Sequence, residues 1–452
     1  MSKQGSGAWT SKVGSALLVA LIVLLGVLGL QRAGLVGGVP IDTQLAAKVG
    51  GSYDTKLPNP KNIKAYVERD DPRVSIEDIQ ASKWKIIDTH EHAQTVHEAE
   101  RLLPVMDQLG IQRTCLLSAT IYTYTLNKMY GFEQYKENNE EILRIKQKWP
   151  DRFCAFVTFD PLAEGNLDLV KDAVARGADG VKLYLGHGAG TGKGPFHVMP
   201  IDDERMEPFW AWAEEVQLPV VMHVNLIKYW DETVSLLERH PNLRLCLPHI
   251  GLHKNTEPRL KRVGWLLDRY PNVYSDISYG HPDFEIEGFE NLAKWRSRSR
   301  AFLQKYAHKL MFASDMVLEA TKSEDYILHT LRSYRQFNES KVFRLHLVPS
   351  KLMHGMELDD DSLSKMYEGA PAGFLLLDDK GNLPDRTKDP KVVVPRRDVP
   401  PIDKESIPDD PQYQPRTNGP TWSSSHTHAP APRSDAGETK GGGGEGPEGD
   451  CD

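Results

Sequence analysis

The stretch Trp84-Lys-Ile-Ile-Asp-Thr-His-Glu-His92 decides the fold. Its apolar, β-branched opening favours extended, pleated chain. Side chains two apart on a strand share a face, so His90 and His92 point the same way, over the mouth of whatever the strand belongs to. Seven further β-rich runs follow, at Arg113–Ser118, Phe153–Phe159, Gly180–Leu185, Pro219–Val224, Leu243–Leu247, Val273–Ile277 and Leu310–Ala313. Amphipathic segments separate them, among them Glu133–Lys148, Leu167–Ala175, Glu204–Val216 and Trp230–Arg239. Strand and helix in alternation predict a parallel sheet with crossover helices. Eight such units in under 300 residues predict an α/β fold of the (β/α)8, or TIM-barrel, type. An open doubly wound sheet is the alternative, but no glycine-rich dinucleotide turn opens the first unit.

Residue types that bind metal gather at the carboxyl ends of these strands, the face on which barrel active sites form. The first strand ends Asp88-Thr-His90-Glu-His92, the fifth Val221-Met-His223-Val-Asn225, the sixth Leu247-Pro-His249-Ile-Gly251, and the eighth Phe312-Ala-Ser-Asp315. Each alone is weak: a lone strand-end histidine is more often a hydrogen-bonded structural residue, and Asp315 would serve equally as a helix cap. Four histidines and one aspartate at matching ends predict a metal centre. Gly188-Ala-Gly-Thr-Gly-Lys193-Gly194 imitates a phosphate loop, but His187 and Gly194 stand where glycine and a hydroxyl are required. A glycine-rich loop over the end of the fourth strand is the better reading.

The phrases Ile87-Asp-Thr-His-Glu-His92, Gly180-Val-Lys-Leu-Tyr184, Pro200-Ile-Asp-Asp-Glu-Arg-Met-Glu-Pro208 and Leu218-Pro-Val-Val-Met-His223 resemble the amidohydrolase superfamily, in its amidohydrolase-related (family 2) branch. The resemblance covers roughly residues 84–375. It implies one divalent metal on His90, His92, His223 and Asp315, with His249 beside it as a proton-transfer or substrate-orienting group. Lys182, inward with Tyr184 on the fourth strand, is expected to bind a substrate carboxylate or carbonyl, to bridge two metals as a carbamate, or to be structural. The branch's usual closing-helix pattern is replaced by Tyr367-Glu-Gly-Ala-Pro-Ala-Gly-Phe374.

The ligand types suit Zn2+, with Mn2+ or Fe2+ as alternatives. Such an ion acidifies a bound water. Asp315 is placed to accept that water's proton, and His249 to polarise a carbonyl or stabilise an oxyanion. Hydrolysis of an ester, lactone or amide bond of a small molecule is therefore expected. Decarboxylation of a carboxylated substrate on the same centre is the alternative, and a catalytically inactive ligand-binding barrel is a third reading. Tyr184, His187 and Tyr279 are candidate pocket residues with Lys182.

Outside the barrel the composition changes. Residues Val13 to Leu30 carry no charge over eighteen positions, enough for a helix of roughly 27 Å that spans a bilayer's hydrocarbon core. Residues 1–32 are read as a signal anchor or signal peptide, 33–82 as a linker, 83–379 as the barrel and 380–452 as a disordered tail. Twelve of the 30 prolines fall in that tail, and so poor an apolar content does not offset the entropy of ordering. Only Val392–Val394 are expected against the domain surface, and His426-Thr-His428 is discounted as a metal site for want of a rigid support. The lysines before the apolar stretch predict that the barrel lies on the extracytoplasmic side, with the membrane as a partner. A net charge of -8 and no basic concentration exclude a general nucleic-acid binder, and four cysteines exclude a disulfide scaffold. Self-association is left open.

Overall fold

A computed structural model describes residues 83–120, 123, 131–186, 199–251, 256–348, 351–411 and 413. The apolar stretch 13–30, His187, the Gly188–Gly194 loop and the His426/His428 pair lie outside these residues. Among the described residues, no helix is long and apolar enough to cross a membrane.

The strands are β1 (Ile86–Ala93), β2 (Ile111–Leu117), β3 (Phe153–Val157), β4 (Gly180–Gly186), β5 (Val220–Val224), β6 (Leu245–Leu247), β7 (Val273–Asp276), β8 (Leu310–Met311) and β9 (Met316–Leu318). Each from β1 to β7 pairs in parallel with the next, and β9 pairs in parallel with β1, setting Glu91 opposite Met316 and His92 opposite Val317. β8 and β9 are thus two halves of one stave. Between them Thr89 N donates to Phe312 O (3.0 Å) and Asp315 N to His90 O (2.6 Å), which closes the ring. The run expected at Leu310–Ala313 is shorter than its apolar pattern, because the chain turns through a left-handed Asp315 (φ 56°) and the ladder breaks there.

Helices on the outside cover the strands, and local chemistry sets their ends. Val96–Leu109 starts at a capping box in which Thr95 and Glu98 satisfy each other's backbone N–H, and it stops at left-handed Gly110 (φ 70°). Its Leu102, Val105, Met106 and Leu109 are buried against the sheet. The helices Tyr135–Lys148, Asn166–Ala175, Glu207–Val216 and Trp230–Arg239 fall where the amphipathic pattern places them.

Inside the barrel, below the histidines, lies a second apolar cluster of Ile87, Cys115, Leu117, Cys154, Phe156, Val221, Cys246, Tyr274 and Met311. The three cysteines are free and fully buried and act as small apolar groups. Residues 360–375 form a helical segment with a π turn at Lys365–Gly369. Its last turn plugs the barrel floor: Phe374 stacks on Phe156 at 6.3 Å and tilts against Tyr274 at 5.4 Å. The unusual Ala370–Phe374 sequence is therefore the floor of the barrel.

The expectation of disorder from residue 380 is corrected for the described part of the tail. Residues 380–411 and Tyr413 form a strap without strands, whose one helical turn is the 3-10 turn at Lys404–Ser406. Arg386 is buried and donates to Val216 O (2.9 Å) and Gln217 O (2.8 Å), while Val392 N donates to Val216 O (3.3 Å). Arg397 exchanges two hydrogen bonds with Asn242, at 2.8 and 3.1 Å. The strap then runs antiparallel to the helix Glu257–Arg269, touching Arg269 at Pro400, Trp265 at Ser406 and Arg262 at Pro408. Polar contacts to carbonyls at the amino-terminal strand ends order this segment, a term that a count of apolar residues omits.

Candidate metal centre

β1 carries both histidines on one face, as its period of two requires. His90 and His92 are buried, and each directs Nε2 to the same oxygen, Asp315 Oδ1, at 3.0 Å. The broken eighth stave makes this meeting possible. The left-handed turn at Asp315 and its N–H bond to His90 O bring the carboxylate across to β1. The ligand atoms of His90, His92 and Asp315 all lie within 4.8 Å of one another.

The hydrogen bonds on the far side of each ring fix where its proton sits. His92 Nδ1 is 2.6 Å from Leu117 O, and His90 Nδ1 is 3.0 Å from Asp276 Oδ2. Both partners only accept, so both rings carry hydrogen on Nδ1 and turn Nε2 to Asp315. Two ring nitrogens and a carboxylate oxygen gathered in this way are the donor set of a divalent cation. The donor set therefore fits a divalent metal on observed geometry.

His249, also buried, stands on the other side of the carboxylate, with Nε2 3.6 Å from Asp315 Oδ2 and Nδ1 2.7 Å from Ser278 O. His223 is partly exposed and reaches the group through His249, its Nδ1 lying 3.2 Å from His249 Nε2. The structure thus brings His90, His92 and Asp315 into one group, adds His249 directly, and sets His223 one ring further out. Lys182 is buried with Nζ 2.8 Å from His90 Nε2 and 5.5 Å from the centre of the Tyr184 ring. Tyr184 donates to Ser118 O at 3.2 Å, so its hydroxyl is tied to the wall.

The charges are matched across the site. Burial would raise the Asp315 carboxyl, but His90, His92 and His249 hold it well below the usual range. Burial disfavours the charged His90 ring, yet Asp315 lifts it above its ordinary value. For His92 burial prevails and the ring titrates lower, and His249 is pushed down to about 4 by the same cause. Burial also lowers Lys182. Asp88 lies below the histidines, where burial raises it to about 7 against the N–H of His90.

Tyr279 is buried and packs its ring on Phe289 at 5.3 Å. Gly288 makes this possible, since a Cβ there would lie 2.2 Å from the tyrosine ring. Asp276 and Ser278 were missed. Val273-Tyr-Ser-Asp276 ends in a carboxylate just as the first and eighth strands do, and that signal was present in the sequence.

A sequence profile described as Amidohydrolase matches residues 87–377. No curated protein matches. Among solved structures, the chain is similar to a probable 2-pyrone-4,6-dicarboxylic acid hydrolase from Acinetobacter baumannii, at 13% identity over 64% of this chain and 98% of that one, with a TM-score of 0.44. It is also similar to 4-oxalomesaconate hydratase from Rhodopseudomonas palustris, at 15% identity over 64% and 95%, with a TM-score of 0.42. A third is 2,6-dihydroxybenzoate decarboxylase from Rhizobium, at 15% over 65% and 99%, with a TM-score of 0.38.

Proposed function

The chain belongs to the amidohydrolase family and is an enzyme, and from that premise we propose that it hydrolyses an ester, lactone or amide bond of a small molecule. The observation that carries the reading is the shared 3.0 Å approach of His90 Nε2 and His92 Nε2 to Asp315 Oδ1. These three side chains would hold one divalent metal, with Zn2+ best suited to two imidazoles and a carboxylate, and His223 within reach through His249. When bound, the metal supplies Lewis acidity that acidifies water and polarises a carbonyl.

The chain's own residues do the rest. Asp315 keeps its second oxygen, Oδ2, free of the two β1 histidines. Held as a carboxylate, it accepts the proton of the attacking water and returns it to the leaving group. His249, kept neutral by burial, faces that oxygen and stands where a substrate carbonyl can be oriented. The Lys182 ammonium adds positive charge inside the group and favours a substrate that carries a carboxylate. That residue also supports a second reading, decarboxylation of a carboxylated substrate.

We also propose, on the uncharged stretch 13–30 alone, that the barrel lies outside the cytoplasm. Digestion by protease added to intact cells tests this; protection of the barrel until lysis would refute it.

The test of the activity is a screen of lactones, aryl esters, amides and aryl carboxylates with Zn2+ supplied, comparing the wild type with Asp315→Ala. Hydrolysis that falls by about 100- to 10,000-fold in the variant supports the reading. Release of CO2 without hydrolysis selects decarboxylation, and ligand binding with no turnover in either protein refutes both.

A further inference from the structure

β7 supplies no candidate ligand, yet it holds the centre together through one side chain. Asp276 is 1% exposed and its two carboxylate oxygens face different sides of the site. Oδ2 accepts from His90 Nδ1 at 3.0 Å, with Cys246 Sγ 3.8 Å away. Oδ1 accepts from His249 N at 2.9 Å, from Ser278 N at 3.1 Å and from Ser278 Oγ at 2.5 Å. One anion thus grips the β1 histidine with one oxygen and the β6 corner with the other.

That corner needs a grip. His249 and Ile250 both have left-handed backbones (φ 61° and 50°), and a β-branched residue there is strained. Such strain persists only where surrounding bonds enforce it. The His249 N–H bond to Asp276, with the His249 ring tied to Ser278 O, enforces it here.

We propose that Asp276 is the positioning residue of the centre: it holds a His90 proton on Nδ1, so that Nε2 is the atom turned to a metal, and it fixes the corner that carries His249. The inference rests on the metal-centre reading and deepens it. A carboxylate can only accept, whereas an amide has one accepting and one donating end. In Asp276→Asn the amide oxygen keeps the three donors now on Oδ1, and the NH2 group faces His90 Nδ1. His90 must then accept at Nδ1 and carry its proton on Nε2, pointing into the metal group. The size and packing of the side chain hardly change.

The experiment uses the full chain, freed of metal, with 15N-labelled histidine. The His90 resonances are expected to report a proton on Nδ1 in the wild type and none on Nδ1 in Asp276→Asn. Zn2+ titration should then show affinity about 10- to 100-fold weaker in the variant, with a similar thermal midpoint for the two metal-free proteins. The same His90 form in both proteins, or equal Zn2+ affinity, overturns the proposal. A purely structural role would lower the midpoint and leave the His90 form unmoved. Should the variant not fold, the wild type alone still decides, since a His90 with no proton on Nδ1 in the metal-free protein contradicts the assignment. Failure of the wild type to bind Zn2+ refutes the metal-centre reading instead, and the His90 form is read independently of it.

Discussion

Asp315 stands where its stave breaks, and its carboxylate has little room. Gly280, with φ +71°, lies so close that a Cβ would sit 2.4 Å from Asp315 Oδ2. Gly280→Ala is expected to push the carboxylate off the histidines as well as strain the turn. Zn2+ affinity and turnover should both fall about 10- to 100-fold, read by titration and steady-state kinetics; unchanged values would contradict the assigned position of Asp315. At this scale much was legible. The period of a strand fixed the common direction of His90 and His92, and the eighth-strand Asp315 stood out by its type and place. Asp276 had the same signature, but residue type alone does not distinguish a carboxylate that orients a histidine from one that caps a helix. The packing of Tyr279 was hidden for another reason: its ring occupies space left by Gly288, on the following helix.

The helix Pro282–Lys294 carries a buried charge problem that gives an element-level prediction. Burial raises Glu285 to about 8, opposed only by Lys322, so the folded protein holds a proton there that the unfolded chain has released. Its folded pKa lies above its ordinary value of 4.5, so the associated stability is full below pH 4.5 and is lost as pH rises to about 8. The loss is at most about 1.4 kcal/mol per pH unit in that window. Glu285→Gln should remove this slope: denaturant unfolding of the variant should match the wild type near pH 4.5 and show greater stability at pH 8. Parallel curves for the two proteins would contradict the buried, protonated Glu285. The strands themselves were legible because each apolar run is bounded by an amphipathic one. The split of the eighth into β8 and β9 was not, since it follows from a single left-handed residue and bonds to a strand more than 200 positions earlier.

For the whole molecule, the barrel was legible from the count of alternations and the strap was not. Composition registers apolar burial, while Arg386 is ordered by carbonyl acceptors at Val216 and Gln217 that only the folded barrel presents. Arg386→Ala leaves those buried acceptors without donors and is expected to cost about 1–3 kcal/mol in denaturant unfolding. Zn2+ affinity should be unchanged, because the strap's anchor lies at the opposite strand ends; loss of affinity with no loss of stability would contradict this division of roles. Whether His90, His92 and Asp315 hold a metal is read by elemental analysis. The full chain purified without chelator should carry about one divalent ion, and His90→Ala should carry essentially none. A wild-type protein without stoichiometric metal, or a His90→Ala variant that retains it, would contradict the account.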